Sequence, residues 1–346
     1  MKTRRHNARR HRKTRRKQYG GIKCSEPATW TPFSYSDNSC WLDTFLLAFL
    51  HYPSEAIDDY LSNATEHIET MKSIVHNSSQ LQIIRQHDTI LQRLIKIRKR
   101  LREIFDTPAT GPALAKIREN IRTALSTCPT GAKFTKGQIS STAEIFEFLT
   151  DILDLPRSIR YAEKQDDFPQ TDGYAHSITL SGFDIMNMSE IVLSTILTKV
   201  QRYPEQRMVR QYKRFSDIIP INIERDNFEG GMIPTPLEPE EFISLKISKN
   251  TQESYRLVSI ICNTGGHFVS YIVCDEDDSW LFYNDLNEPK RRITNLGTLA
   301  DWWGNEIPGY KDRYPATYAT WLLYVKIQEA STNSNNRVPR SSTNSS

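Results

Sequence analysis

Three segments, far apart in the chain, carry the residue types of a nucleophilic acyl-transfer site. Cys40 follows a polar turn and opens an apolar run, and His267 follows two glycines at the start of a strand-like run. Asn284 and Asp285 close the next strand-like run. A thiol, an imidazole and a side chain that accepts the ring N–H supply a nucleophile, a general base and an orienting group. We therefore take these four residues as candidate catalytic residues.

The cysteine lies where a helix is predicted to begin. Residues 36–39 (SDNS) offer N-cap side chains, and the apolar residues after Cys40 recur at helical spacing on one face: Leu42, Phe45, Leu46 and Phe49. First-turn N–H groups and the positive end of the helix dipole stabilise a thiolate, and they can receive an oxyanion. The alternative is that Cys40 is only a small buried residue at the start of a core helix.

The histidine and the Asn-Asp pair are predicted to meet in a hairpin. His267 opens the strand 268–274, an acidic turn follows, and the strand 279–283 returns the chain to Asn284 and Asp285. Gly265 and Gly266 permit a tight entry into the first strand and a close approach of a bound chain. A histidine after glycines, or an Asn-Asp pair, is by itself more often a turn feature, so the prediction rests on their combination with Cys40.

The composition excludes several classes of protein. The 346 residues, 38% of them hydrophobic, fit one large domain with subdomains, and no apolar run reaches the roughly 18 residues of a membrane span. No apolar segment of a secretory signal follows the basic start. The cysteines are odd in number and contain no C-x-x-C pair: Cys24, Cys40, Cys128, Cys262 and Cys274. This pattern argues against a disulfide framework or a four-cysteine zinc site, and it favours a reducing intracellular compartment. We expect no metal and no cofactor.

The net charge of +4 is unevenly distributed. Residues 1–18 hold ten of the 45 Lys and Arg residues and no acidic residue, so the rest of the chain has a balance of −6. Residues 1–21 are predicted to be a disordered basic arm that binds nucleic acid or acidic surfaces, or acts as a nuclear localisation signal. The alternative is a solubilising tail. The arm is similar to the Lys/Arg-rich, Gly-Gly-ended N-termini of many proteins of large DNA viruses.

The remaining elements predict an α+β fold. Residues 55–125 read as mainly helical, and residues 138–155 form a further amphipathic helix with caps at residues 140–142 and Glu144 in its first turn. Strands are predicted at 218–224, 242–247, 256–262, 268–274, 279–283 and 318–327. The basic residues between 93 and 102, including Arg98, read as a solvated helix face or a docking face for an acidic partner or nucleic acid. Residues 329–346 are predicted to be a disordered tail.

Four segments together resemble the ubiquitin-specific proteases, a papain-like family of deubiquitinating cysteine peptidases. NSCWLDT (38–44) resembles the family's cysteine box, in the form closest to the cylindromatosis-type branch. EIFEFLTDIL (144–153) resembles its D-A-x-E-F-L-x-x-L-L helix. YRLV (255–258) with GGHFVSY (265–271) resembles its histidine box, and WLFYND (280–285) resembles the end of that box. The order and spacing agree over roughly residues 30–327.

The resemblance implies a papain-like hand, with a mainly helical thumb at 22–165 followed by an antiparallel β palm and fingers at 166–328. It implies that Cys40 is the nucleophile, His267 the general base and Asn284 the third member, with Asp285 as a supporting acceptor. The substrate would be ubiquitin joined through its C-terminal glycine, and the partners would be ubiquitin and ubiquitinated proteins. Ubiquitin's narrow Gly-Gly tail would need the close backbone approach at Gly265 and Gly266.

The sequence departs from the family pattern in three places. Tyr35 stands where many members have an asparagine that contributes to the oxyanion hole, so the hole would depend on backbone N–H groups with support from Asn38. Asp37 replaces the family's glycine, and the zinc-binding C-x-x-C pairs of many fingers subdomains are absent from the sequence.

Two alternatives stay open at this point. One is a Cys-His peptidase that acts on a ubiquitin-like modifier or another peptide. The other is not an enzyme: a catalytically dormant ubiquitin-binding scaffold, or a basic-armed protein associated with nucleic acid. The sequence does not decide the chain-linkage preference, the protein substrate, the partner of the basic arm or the oligomeric state. It also leaves open whether the helices between residues 55 and 125 are a thumb or an insertion.

Overall fold

The computed structural model confirms the α+β architecture, with helices in the first half and antiparallel sheets in the second. The described residues are 33, 35–104, 111–128, 131–138, 140–153, 159–165, 169–186, 188–198, 201–203, 208–226, 231–238, 240–246, 251–274, 277–287 and 293–327. The predicted basic arm and the predicted C-terminal tail therefore lie outside the described residues.

In its described residues, the first half contains five helices and a 3₁₀ turn at Gly131–Phe134. The helices are α1 (Cys40–Leu50), α2 (Glu55–Ile74), α3 (Ser78–Ile104), α4 (Gly111–Thr127) and α5 (Thr142–Ile152). Helix α5 begins with the predicted cap, in which the Ser141 hydroxyl accepts the N–H of Glu144 and the Glu144 carboxylate accepts the N–H of Ser141. This reciprocal pairing satisfies two N–H groups that have no partner within the helix.

Helix α1 lies at the centre of the molecule. Its sequence pattern predicts one apolar face, but every residue of the helix is buried. The strands Gln252–Asn263 and Phe268–Val273 pack against it, as do α3 and α5. The N-cap is Ser39, as the turn residues predict, but its side chain makes no cap hydrogen bond. The Ser39 hydroxyl instead donates to the Asp43 carboxylate at 2.7 Å.

One residue of the basic stretch in α3 is not on a solvated face. Arg98 is buried and donates to Asp58 at 2.6 Å and to the carbonyl of Leu50 at 2.8 Å. It also donates to the carbonyls of Tyr52 and Ser54. The guanidinium thus satisfies carbonyl groups at and after the end of α1, and tertiary packing rather than charge pattern decides its position.

The main sheet lies against α1 and has eight strands. Its order is β11–β10–β9–β8–β12–β6–β3, and β7 pairs with the first half of β8. Every pairing is antiparallel except the parallel pair of β3 and β6. The strands are β3 (Ile178–Leu180), β6 (Ile218–Ile223), β7 (Phe242–Lys246), β8 (Gln252–Asn263), β9 (Phe268–Val273), β10 (Trp280–Tyr283), β11 (Ile293–Asn295) and β12 (Ala319–Lys326). The six predicted strands are all present within a few residues of their predicted ends.

A second, four-stranded sheet was not predicted from the sequence. Its order is β2–β1–β5–β4, and its strands are β1 (Ile159–Gln165), β2 (Thr171–Ala175), β4 (Gln201–Tyr203) and β5 (Met208–Arg214). Strand β1 begins before residue 166, where the sequence places the change from helical to β structure. The part of the second half that the structure describes also contains four short helices: α6 (Gly182–Met186), α7 (Leu193–Thr198), α8 (Leu299–Trp302) and α9 (Pro315–Tyr318).

The state of the cysteines and the character of the helices can be compared with what the composition predicts. Cys40, Cys128 and Cys262 are free thiols, whereas Cys274 is disulfide-bonded. The sequence argues against a disulfide framework, and it does not predict the disulfide bond of Cys274. Among the described helices, none combines the length and the apolar character that crossing a bilayer requires.

Candidate active site

The fold brings the start of α1 against the start of β9. Cys40 is the first residue of α1 and is only 3% exposed. The backbone N–H of Phe268, the residue after His267, hydrogen-bonds to the Cys40 thiol, and so does the N–H of Trp41. The Tyr35 N–H donates to the Asp285 carbonyl at 3.3 Å, which joins the segment before the cysteine to the end of β10.

The predicted hairpin of β9 and β10 positions the histidine and its orienting group. Tyr283 pairs with Ser270 in the ladder, so Asn284 returns beside His267. The distance from His267 Nε2 to Asn284 Oδ1 is 3.0 Å. The N–H of Leu286 also donates to this Oδ1, at 3.1 Å. Since Oδ1 is an acceptor, Nε2 carries the ring proton and Nδ1 is left with a free lone pair.

The geometry therefore prepares an imidazole that can act as a base. The His267 side chain lies between two aromatic rings, with Tyr310 stacked at 6.3 Å and Tyr35 tilted at 6.3 Å between ring centroids. Burial lowers the pKa of His267, and the hydrogen bond to Asn284 partly opposes that shift. The neutral ring is consequently the resting form at neutral pH.

The cysteine does not rest as a thiolate, contrary to the prediction from its position at the helix start. Burial raises the pKa of Cys40 to about 11, and the nearby Asp285 and Asp43 add to the shift. The hydrogen bonds from Phe268 and Trp41 lower the pKa by less than burial raises it. Desolvation of the buried thiol outweighs these hydrogen bonds, so the resting pair is a neutral thiol and a neutral imidazole.

Behind the imidazole lies a buried pair of carboxyl groups. Asp285 Oδ1 is 3.3 Å from His267 Nε2, and the Asp285 carboxyl group lies beside that of Asp43. Asp43 is fully buried and forms an ion pair with the Arg118 guanidinium. Burial, followed by the charge of Asp43, raises the pKa of Asp285 to about 8. The pair therefore retains one proton at neutral pH.

The other predicted site residues lie in the segments just before Cys40 and His267. Both ends of the Asn38 amide are hydrogen-bonded, since Oδ1 accepts the Tyr35 hydroxyl at 2.7 Å and Nδ2 donates to the Gly137 carbonyl at 2.8 Å. Gly265 and Gly266 are exposed and have φ values of 81° and 105°, which favour glycine. They form the turn immediately before His267.

Three further residues belong to the site but were not identified from the sequence. Tyr310 comes from the loop after α8, and no local pattern links it to the histidine. Arg118 and Arg122 come from α4, where helical arginines between apolar residues resemble a solvated face. Within the described part of the chain, no group of three or more His, Cys, Asp or Glu side chains is arranged to hold a metal ion.

Comparison with known proteins identifies the family. Residues 34–291, well over half of the chain, match the family model described as ubiquitin carboxyl-terminal hydrolase. The chain belongs to the ubiquitin carboxyl-terminal hydrolase family. The matched region of this hydrolase includes Cys40, His267, Asn284 and Asp285. A comparison with the curated proteins found no match.

Solved structures show that the hydrolase shares the papain-like fold of a deubiquitinase. The SAGA DUB module of Ubp8, Sgf11, Sus1 and Sgf73 bound to monoubiquitin is 12% identical, with a TM-score of 0.56 over 88% of this chain and 70% of that chain. The same module bound to ubiquitin aldehyde is 10% identical, with a TM-score of 0.55 over 88% and 71%. A yeast SAGA module with an Sgf73 variant has a TM-score of 0.54 at 12% identity, over 88% and 70%.

Family and fold together identify a deubiquitinating cysteine protease, so the predicted fold class and the predicted enzyme class are both confirmed.

Proposed function

We propose that this hydrolase cleaves peptide and isopeptide bonds after the C-terminal glycine of ubiquitin, with Cys40 as nucleophile, His267 as general base and Asn284 as orienting group. The observation that carries the assignment is the hydrogen bond from His267 Nε2 to Asn284 Oδ1. This bond leaves Nδ1 as the basic nitrogen of the ring. The contact of Phe268 N–H with the Cys40 thiol supports the same assignment, because it holds the nucleophile beside the residue that follows the base.

The neutral resting pair supports a mechanism in which proton transfer accompanies attack. His267 Nδ1 accepts the thiol proton as Cys40 Sγ forms a bond to the carbonyl carbon of ubiquitin's last glycine. The carbonyl oxygen becomes an oxyanion that backbone N–H groups stabilise. When this intermediate collapses, the C–N bond breaks and the imidazolium protonates the departing amine. Water then attacks the thioester with His267 as base, and it releases the ubiquitin carboxylate and the free thiol.

Asp285 has a supporting role in this scheme. While the imidazole is neutral, burial and Asp43 keep the Asp285 carboxyl protonated. Once the imidazolium forms 3.3 Å away, its charge favours the ionised carboxylate. The Asp285 proton would then be shared more strongly with Asp43, and the carboxylate would stabilise the imidazolium through the lifetime of the intermediate.

Several finer assignments are part of this proposal. The NSC-aromatic-LD form of the cysteine box supports the cylindromatosis-type branch of the family. The charge of residues 1–18 supports binding of the arm to nucleic acid or acidic surfaces, and its composition supports an origin in a large DNA virus. An intracellular location, in cytoplasm or nucleus, or in a virion, fits the reducing conditions that the reaction needs.

One observation favours a second candidate function. The raised pKa of the Cys40 thiol would also suit a dormant scaffold that binds ubiquitin without cleaving it. Binding alone does not require a thiolate, so a measurement of covalent chemistry at Cys40 separates the two functions.

The deciding experiment is covalent labelling with ubiquitin that carries a C-terminal electrophile. We expect wild-type protein to form an adduct, Cys40→Ala to form none, and His267→Ala to react at least about a hundredfold more slowly. Cys128→Ala is the matched control, since Cys128 is a second buried free thiol that lies outside the site. An adduct with a ubiquitin-like modifier alone would change the substrate. Binding of ubiquitin without any adduct would support the dormant scaffold.

A further inference from the structure

Two arginines of α4 lie beneath the segment that leads into the nucleophile. Arg118 and Arg122 are four residues apart and therefore project from the same face of the helix. Each is only 1% exposed. A buried guanidinium needs acceptors around it, and both arginines find them in residues 36–43. Helix α4 thus reaches the segment before Cys40 through these two side chains.

Arg122 holds two consecutive peptide groups of this segment. Its Nη1 donates to the carbonyl of Ser36 at 3.2 Å, and its Nη2 donates to the carbonyl of Asp37. In a trans peptide the N–H points opposite to the carbonyl. The N–H groups of Asp37 and Asn38 are consequently directed away from α4. If either of these two peptide groups turned over, its carbonyl oxygen would face away from α4. An acceptor would then stand where the N–H donor had been.

The segment needs this support because its backbone is in an unfavourable conformation. Asp37 and Asn38 have φ values of 49° and 60°, in the left-handed region that residues with a side chain seldom occupy. Lys136 forms an ion pair with the Asp37 carboxylate at 2.7 Å, and the Gly137 N–H donates to the Asp37 carbonyl at 3.3 Å. These two contacts are exposed or long, whereas the bonds from Arg122 are made by a buried group.

Arg118 holds the next part of the segment. Its Nη1 donates to the Ser39 hydroxyl at 2.8 Å and pairs with the Asp43 carboxylate. The same hydroxyl accepts the N–H of Ser36 at 3.0 Å and donates to Asp43 at 2.7 Å. All hydrogen-bonding capacity of the Ser39 hydroxyl is therefore used, and the residue just before Cys40 is fixed relative to α4.

We propose that Arg118 and Arg122 are positioning residues for the oxyanion-binding segment of this hydrolase. By holding the carbonyls of residues 36 and 37 and the hydroxyl of Ser39, they keep backbone N–H groups available to the oxyanion that forms at Cys40. The inference rests on the proposed function, because it needs an acyl-transfer step at Cys40.

Two reactions of Cys40 distinguish positioning from general damage. Cleavage of a ubiquitin amide passes through an oxyanion, so it requires correctly directed N–H groups. Alkylation by iodoacetamide displaces iodide directly at carbon and forms no oxyanion. A residue that positions the oxyanion-binding segment should therefore affect the first reaction far more than the second.

The experiment compares wild-type enzyme with Arg122→Gln and with Arg225→Gln as a matched control. Arg225 is also buried and also donates to backbone carbonyls, those of Ala316, Ala319, Ile233 and Thr235. For Arg122→Gln we expect kcat on a fluorogenic ubiquitin amide to fall at least about tenfold, with KM within about threefold and the iodoacetamide rate within about threefold of wild type. For Arg225→Gln we expect a kcat within about threefold of wild type, despite a lower unfolding midpoint.

The possible results distinguish a failure of this inference from a failure of the proposed function. A kcat for Arg122→Gln that matches that of Arg225→Gln would overturn the inference, and so would a parallel loss of alkylation. If Arg122→Gln does not fold, Arg122→Lys carries the test, because one ammonium cannot hold both carbonyls in the guanidinium geometry. It should then show a reduced kcat beside an unchanged affinity for ubiquitin. If wild-type enzyme alkylates at Cys40 but cleaves no ubiquitin amide, the proposed function itself is wrong, and the inference is rejected with it.

Discussion

The resting state of the nucleophile leads to a sharp prediction about its chemical reactivity. A thiol with a pKa of about 11 is ionised in only about one molecule in ten thousand at pH 7. An ordinary thiol of pKa near 9 is about a hundredfold more ionised. A more basic thiolate is also a better nucleophile. With a Brønsted coefficient of about 0.45, the difference of two pKa units makes the Cys40 thiolate about eightfold more reactive than that of an ordinary thiol. Cys40 should therefore alkylate about tenfold more slowly than a free thiol at pH 7, before any steric protection.

The perturbation that tests this reasoning is His267→Ala. Burial and the two carboxyl groups set the thiol pKa, so removal of the imidazole should leave the pH profile of alkylation nearly unchanged. The assay is isotope-coded iodoacetamide labelling read at the Cys40 peptide by mass spectrometry, from about pH 6 to 10. The rate should rise about tenfold for each pH unit in both proteins. Because steric protection does not depend on pH, the slope decides the question rather than the absolute rate.

A plateau would refute the argument. If wild-type Cys40 reacts at a constant rate below about pH 8 and His267→Ala loses that plateau, the protein holds a preformed thiolate–imidazolium pair. Burial would then be weaker than the structure indicates. If the profile rises as expected, ionisation of the thiol at pH 7 requires about 5 kcal/mol, at about 1.36 kcal/mol for each of four pH units. Proton transfer to His267 during attack would have to offset that cost.

Three further predictions concern the orienting group, the carboxyl pair and a helix cap. Asn284→Ala frees the His267 ring, so kcat on a ubiquitin amide should fall about ten- to a hundredfold with little change in KM; an unchanged kcat would move the orienting role to Asp285. The pKa of Asp285 is raised to about 8 in the folded state, so its stabilising contribution is complete below its unfolded pKa near 3.8 and is lost as pH rises through 8. Urea unfolding from about pH 5 to 8 should accordingly show the stability of wild type relative to Asp285→Asn falling by up to about 1.4 kcal/mol per pH unit, and parallel curves would contradict the retained proton. Ser141→Ala removes the capping box of α5 and should lower the unfolding free energy by about 1 kcal/mol without affecting kcat, which equilibrium denaturation and a single activity assay would check.

The sequence could predict the parts of the site that depend on local order. A polar turn before an apolar helix locates Cys40, and two strands joined by an acidic turn bring Asn284 back to His267. Each of these features lies within one turn-and-helix or one hairpin of the sequence. The hydrogen-bond ladder between β9 and β10 then aligns the two strands. The same reasoning works for the cap of α5, where Ser141 and Glu144 are three residues apart.

The features that the sequence could not predict depend on which distant elements pack against each residue. The helix dipole at Cys40 is visible in the sequence, but the desolvation that reverses its effect on the thiol pKa comes from distant elements. Arg98, Arg118 and Arg122 look like solvated helix residues, and only tertiary packing buries them beside carbonyl groups. The four-stranded sheet was missed because its strands lack an apolar alternation, as in β2, where no residue is buried.

The position of β12 has a consequence for the order in which the enzyme is made. This strand is the last of those described, yet it lies between β8 and β6 in the middle of the main sheet. Its Trp321 packs edge-on against Phe45 of α1, with 6.1 Å between the ring centroids, and lies 6.4 Å from Phe146 of α5 by the same measure. A nascent chain that has already released Cys40, His267 and Asn284 from the ribosome still lacks the strand that joins the two halves of the sheet. The two halves of the main sheet can therefore join only after residues 319–326 have left the ribosome.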